Sequence, residues 1–271
     1  MSALRIGTGG SAVALAQTQT VVRALAAKTG EEPAVIVVDE PRDALLAGEV
    51  DAVVHSLAAA EPGVVVSAVP KRVDARDSLI ARDSLTLDTL PAGARVATGS
   101  PRRAAQLRSR RPDLEAVDSR GDVETLLGLV AAGGLDAVIL AAADLHWLGR
   151  SEAATEQLDL NGWPTDAGQG ALGVEVQQGS EKLVSAVTHP TSRLLVEAER
   201  QALALLGAEF AELVGLHALA EDGMLFLDGR LYAADGSSYV TSSHALYVSD
   251  AKDPAGELAE RVSTELRELA G

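Results

Sequence analysis

The chain has 271 residues, 47% hydrophobic and 23% charged, which is enough apolar mass for two or three domains with full cores. A net charge of −16 and only 3% aromatic residues argue against a nucleic-acid partner, which needs basic surface and stacking rings. The sequence contains no cysteine, so disulfides, thiolate nucleophiles and cysteine-ligated metals are excluded.

The opening Leu4-Arg-Ile-Gly-Thr-Gly-Gly-Ser11 followed by Ala12 to Ala27 reads as strand, turn and helix. It has no basic segment leading into a long apolar one, and no run approaches the ~18 apolar residues of a bilayer span. The expectation is a cytoplasmic protein without a membrane partner. Ala34 to Val38 predicts a strand, Pro41 to Ala47 a short helix, and Ala52 to His55 a strand ending at His55-Ser56. Pro62, Gly63 and Pro70 punctuate Val64 to Val69, which suits an extended crossing segment. Asp74 to Ile80 leads into another strand, and Leu90-Pro-Ala-Gly93 is a loop entering a second lobe.

Arg95-Val-Ala-Thr-Gly-Ser-Pro-Arg-Arg-Ala-Ala-Gln-Leu107 repeats the strand, turn, helix pattern, with Pro101 in the first helical turn and Pro112 as the stop after Arg110. Glu115 to Val117 is a strand leading to Ser119-Arg-Gly-Asp122, and Val123 to Ala132 has helical periodicity. Asp159 to Asp166 reads as a hinge returning the chain to the first lobe, and Gly168-Gln-Gly170 as flexible. From Pro190 the character changes. A helix spans 191 to 206, strands cover Met224 to Leu227, Arg230 to Ala233 and Tyr239 to Ser249, and Asp228-Gly229 and Asp235-Gly236 are turns. The closing helix, Pro254 to Ala270, carries an apolar stripe of Leu258, Val262, Leu266 and Leu269.

Two internal correspondences suggest related lobes. Ile6, Thr8 and Gly9 match Val96, Thr98 and Gly99, and Gly48 to Val54 matches Gly133 to Ile139. The expected domains are residues 1–92 with 171–189, residues 93–170, and a small α+β domain at 190–271. A cleft between two such lobes is the expected ligand site.

Residues 95 to 120 hold seven arginines and three acids, a positive island in an acidic chain. Free N–H groups at the helix start and the forks of Arg102 and Arg103 suit a carboxylate or phosphate. Thr98, Ser100 and Pro101 flank this cradle. Ser11 and Thr8 either cap the first helix or touch a ligand, and His55 is either a hydrogen-bonded structural histidine or a catalytic one. Glu61, Glu209 and Glu212 are either solvated carboxylates or acids available to a reaction. His146, His189, His217 and His244 lack metal-ligand spacing, so no metal site is expected.

Eight stretches in register, LRIGTGGSAVALAQTQ, DAVVHS, DARDSLI, ATGSPRRAAQLRSRRPDL, SRGDVETLL, GLDAVILAAADLHWLG, AGQGALGVE and VEAERQALALL, resemble the porphobilinogen deaminase (hydroxymethylbilane synthase) family. The resemblance implies an α/β fold of two type II periplasmic-binding-protein-like lobes with mixed sheets, plus the small third domain. It also implies a dipyrromethane primer on a cysteine, four added porphobilinogen units with loss of ammonia, an aspartate handling protons and arginines holding acetate and propionate groups. Ser11, Thr98, Ser100, Arg102, Arg103 and Arg120 match the family's substrate-binding positions.

The family's Lys-Asp pair is Ala58-Ala59 here, the primer cysteine falls at Phe210, and further family arginines stand as Gly9, Leu126 and Trp147. Trp147 either fills the space of the lost arginine or faces a flat ligand. The stretch between Glu31 and Asp51 is also short and lacks the segment that covers the family's cleft. These departures predict no dipyrromethane cofactor, an unassigned catalytic residue with His55 and Glu61 as candidates, and a monomer taking a small anionic pyrrole-like or amine-bearing substrate, with C–N cleavage as the chemistry. The alternatives are a non-catalytic anionic-metabolite-binding or regulatory protein on the same scaffold and an orthodox hydroxymethylbilane synthase, which Ala58, Ala59 and Phe210 disfavour.

Overall fold

Short β-branched and alanine-rich runs become buried strands, and three of the helices between them begin where the side-chain oxygen of Ser11, Ser100 or Asp122 replaces a missing backbone partner. The computed structural model describes residues 3–58 and 66–270. The first elements are β1 (Arg5–Thr8), α1 (Ala12–Thr29), β2 (Ala34–Val37), α2 (Pro41–Leu46), β3 (Ala52–Ser56) and β4 (Asp77–Ala81). Then come β5 (Arg95–Thr98), α3 (Pro101–Arg110), β6 (Glu115–Asp118), α4 (Val123–Ala131), β7 (Ala137–Ala141), α5 (Ala142–Trp147), β8 (Glu156–Gln157) and β9 (Leu172–Val176). The remainder is α6 (Pro190–Leu206), β10 (Val214–Glu221), β11 (Met224–Tyr232), β12 (Tyr239–Tyr247) and α7 (Pro254–Ala270).

The chain divides into two units, Met1–Asp74 with Gly168–Leu194, and Ala75–Ala167 with Leu195–Gly271. In the first, the sheet order is β2-β1-β3-β9, parallel except for β9. In the second, the order is β6-β5-β7-β4-β8, with β5, β6 and β7 parallel and β4 antiparallel to both its neighbours. Both sheets put the first strand between the second and the third and add a returning antiparallel strand beyond the third, which is the expected type II periplasmic-binding-protein topology in a mixed α/β fold. Val96, Ala97, Ala137, Val138 and Ile139 are fully buried, as strands covered on both faces must be.

β4 joins the second sheet, Asp77 opposite Ala141 and Ala81 opposite Ala137, so the boundary expected at 92/93 is corrected to 74/75. A strand run carries no label for the sheet it will enter. Residues 159–166 are not a loose hinge, because Trp163 and Thr165 are buried in the second unit and the crossing falls at 167/168. Gly170 has φ +78 and a Cβ there would lie 2.7 Å from the Asp74 carbonyl oxygen, so it permits a close approach of backbones. Of the expected crossing segment Val64 to Val69, residues 64 and 65 lie outside the described residues, and Ala68 bridges Val174.

The second unit also holds the antiparallel sheet β10-β11-β12, against which α7 buries Leu258, Val262 and Leu266. Asp228-Gly229 is not a turn but the middle of β11. A Cβ on Gly229 would lie 2.8 Å from Leu266 Cδ1 and 2.9 Å from Val262 Cγ1, so the glycine is there to let α7 come close. The β10–β11 turn is Asp222-Gly223, both with positive φ, the pairing that suits strand twist. No described helix is long and apolar enough to cross a membrane.

Candidate functional site

β5 delivers the chain to the start of α3 at Thr98. The Thr98 hydroxyl accepts from the Ser100 N–H at 3.2 Å, and Ser100 caps the helix by accepting from the Arg103 N–H at 3.4 Å. Pro101 occupies the first turn, where its missing donor costs nothing. Beside this start is a cavity of about 180 Å³ lined by Thr98, Ser100, Pro101, Arg108, Asp118 and Arg120. Arg120 is 78% exposed, with Nε 3.8 Å from Asp118. The helix dipole and two guanidinium groups against one carboxylate make this pocket suited to a small anion.

Arg102 does something else. It is fully buried, and its Nε and Nη2 fork onto Asp166 at 2.7 and 3.1 Å while Nη1 and Nη2 both reach Asp77 at 3.2 Å. Nη1 also donates to Gln106 at 2.5 Å and to the Pro164 carbonyl at 3.0 Å. Asp77, itself buried, further accepts from the Trp163 indole at 2.9 Å and pairs with Arg103 at 2.8 Å. Burial works against both charges of the Arg102–Asp166 pair. Mutual attraction and hydrogen bonding outweigh it, raising the arginine and holding the Asp166 carboxyl below its ordinary value. The expectation that Arg102 contacts substrate is thereby corrected, since its donors are spent inside the lobe. Asp77 and Asp166 were missed because each lies far along the chain from Arg102, and nothing local marks them as its partners.

In the first unit, Ser11 is an exposed cap accepting from the Ala14 N–H at 3.1 Å, and Thr8 accepts from Thr18 at 2.9 Å. His55 Nε2 lies 3.0 Å from Oε2 of Glu175, a buried carboxylate on β9. Ala58 is exposed, while Ala59 and Glu61 lie outside the described residues. Glu209 and Glu212 are exposed, and Leu126 is packed in the core. Trp147 is half-buried, and its indole N–H is buried without an acceptor among the described residues. Phe210 lies in the turn after α6, beside a cavity of about 350 Å³ shared with Tyr232 and Tyr239. Thus Thr98, Ser100, Arg103 and Arg120 gather in one unit, and Ser11 and His55 belong to the other.

Asp144 was not foreseen as a site residue. It lies three residues beyond the end of β7, half-buried, and its carboxyl has no hydrogen bond or ion pair among the described residues. Burial raises its pKa, Arg103 opposes the rise and Asp77 adds to it. No sequence pattern signals such a group, because the environment that perturbs it comes from β4 and α3.

The family model described as "Porphobilinogen deaminase, dipyromethane cofactor binding domain" matches residues 34–185. A protein named porphobilinogen deaminase from Leifsonia xyli is 46% identical over 97% of this chain and 92% of its own length. Its namesake from Thermobifida fusca is 41% identical over 92% and 87%. The methionine-binding protein MetQ aligns with 70% of this chain and 91% of its own at a TM-score of 0.48 and 13% identity. The expectation that the chain takes no dipyrromethane is corrected by the family match, which is to the domain that binds that group. The sulfur seat does not fit, however. With no cysteine in 271 residues, no thioether to the group can form on this chain.

Proposed function

Because the chain belongs to the porphobilinogen deaminase family, we propose that it acts on porphobilinogen, joining such pyrroles with loss of ammonia in tetrapyrrole synthesis. The observation that carries this reading is the extent of the likeness, 46% identity over nearly the whole of both chains. It replaces the expectation of a diverged enzyme with a smaller substrate, which rested on departures at single positions and on the short stretch between Glu31 and Asp51. The second lobe supports it locally: the α3 start, Arg108 and Arg120 surround a cavity that suits a carboxylate side chain. Porphobilinogen carries two such groups and an aminomethyl group.

The test is incubation of the purified protein with porphobilinogen. Disappearance of the pyrrole, release of ammonia and, after oxidation, uroporphyrin absorbance are expected. A second reading, binding without turnover, is favoured by Ala58 and by the absence of a thiol. It would be the better one if porphobilinogen raised the melting temperature and was recovered unchanged. Neither turnover nor a thermal shift would remove both.

A further inference from the structure

β5, β6 and β7 run parallel, so Thr98, Asp118 and Ala141 end at one edge of the second sheet, and β4 enters at that edge with Asp77 opposite Ala141. In open α/β sheets ligands bind outside the carboxyl ends of the strands. This edge gathers the α3 start with Arg103, the loop holding Arg120, and Asp144 of α5.

The three acids in this cluster are unlike one another. Asp77 is buried and held by Arg102, Arg103 and Trp163, and Asp166 is held by Arg102. Asp144, half-buried, is the one of the three that has no hydrogen bond or ion pair among the described residues. One helical turn on, the Trp147 indole N–H is also buried without an acceptor. An unengaged acid one turn from an unengaged donor, within reach of the Arg103 charge, leaves polar valences for a guest.

We infer that Asp144 is the carboxyl that moves protons on an aminomethyl-pyrrole carboxylate held at this edge. The inference rests on the family reaction proposed for the chain. As the C–N bond breaks, nitrogen keeps the bonding pair, takes the Asp144 proton and leaves as ammonia. The ring remains as a methylene-pyrrolium cation facing the new carboxylate. The α-carbon of a second pyrrole then forms the C–C bond, and the proton it sheds returns to Asp144. Burial keeps part of the carboxyl protonated beyond its ordinary range, with Asp77 from β4 reinforcing that and Arg103 from α3 opposing it. The 3-10 turn Ser151–Ala153 packed on α5 carries Glu152, and α5 itself carries the exposed His146.

Porphobilinogen consumption by the full chain would be compared with D144N and D144E. D144N should fall on the order of 10²-fold or more while its thermal shift with porphobilinogen is kept, and D144E should keep more rate with a displaced pH profile. In the wild type, the carboxyl carbon resonance of Asp144, assigned by its loss in D144N, should move when porphobilinogen is added. D144N turning over at the wild-type rate would overturn the assignment and leave the family reaction standing. So would an Asp144 resonance indifferent to porphobilinogen. A wild type that consumes none would overturn both.

Discussion

The guanidinium of Arg102 and the carboxylate of Asp166 meet as two forks, at 2.7 and 3.1 Å, inside the second lobe. The arginine motif therefore supplies an internal strut, and its neighbours supply the anion pocket. Asp77 holds the same guanidinium from its other side in a fully buried position. Asp77→Ala would remove the buried carboxylate shared by Arg102 and Arg103 and leave Asp166 to balance Arg102, so urea unfolding should show a loss of about 3–5 kcal/mol. Asp166→Ala should cost less, because the Asp166 side chain is 35% exposed and water can replace it.

Acid should dissolve this strut from the Asp166 side. Burial opposes ionisation of Asp166, Arg102 more than offsets it, and the folded carboxyl stays below its ordinary value. Folding thus sheds protons. The contribution is complete above the unfolded carboxyl's range, near pH 4, and disappears as the pH falls through the folded value. Unfolding free energy measured from pH 6 down to pH 3 should drop less steeply in Asp166→Asn than in the wild type.

Asp144 has the opposite sign. Its carboxyl is raised, so ionising it at neutral pH works against the fold, and the penalty grows as the pH climbs from the unfolded to the folded value. Asp144→Asn should therefore melt higher at pH 7, by about 2–4 °C per kcal/mol recovered, with the gain vanishing at low pH. Scanning calorimetry at two pH values would check this.

Arg120→Ala should leave stability within about 0.5 kcal/mol, since the side chain is mostly exposed and its nearest carboxylate is 3.8 Å away. Binding of an anionic pyrrole should weaken by about 10-fold or more, the worth of one charge-assisted hydrogen bond. Titration calorimetry with porphobilinogen would read the change. Arg102→Ala should do the reverse, unfolding the lobe before any specific effect on binding appears.

What could be read from the sequence was whatever repeats locally. The matched runs Ile6-Gly-Thr and Val96-Ala-Thr became β1 and β5, and of the stripe Leu258, Val262, Leu266 and Leu269 the first three became the buried face of α7 while Leu269 is exposed. Pro101 marks the α3 start correctly, because its fixed backbone suits a first helical turn whatever packs later, whereas Ser100, read as a pocket hydroxyl, is the cap of that helix. Arg102 was misjudged for the converse reason: Asp77 and Asp166 reach it only after three strands and a loop have packed. Asp228-Gly229 misled because the space it leaves is filled by a helix more than 30 residues later, and a bare glycine looks the same in a turn and under a close neighbour.

Trp163 donates its indole hydrogen to Asp77 at the centre of the ion cluster, and Trp147 is the only other tryptophan in the chain. The protein thus carries two tryptophan fluorophores, one wired to the strut and one a turn from the unengaged acid. Emission recorded from a Trp147→Phe variant would isolate the cluster's own signal, so its loosening under acid or urea could be followed without any added dye.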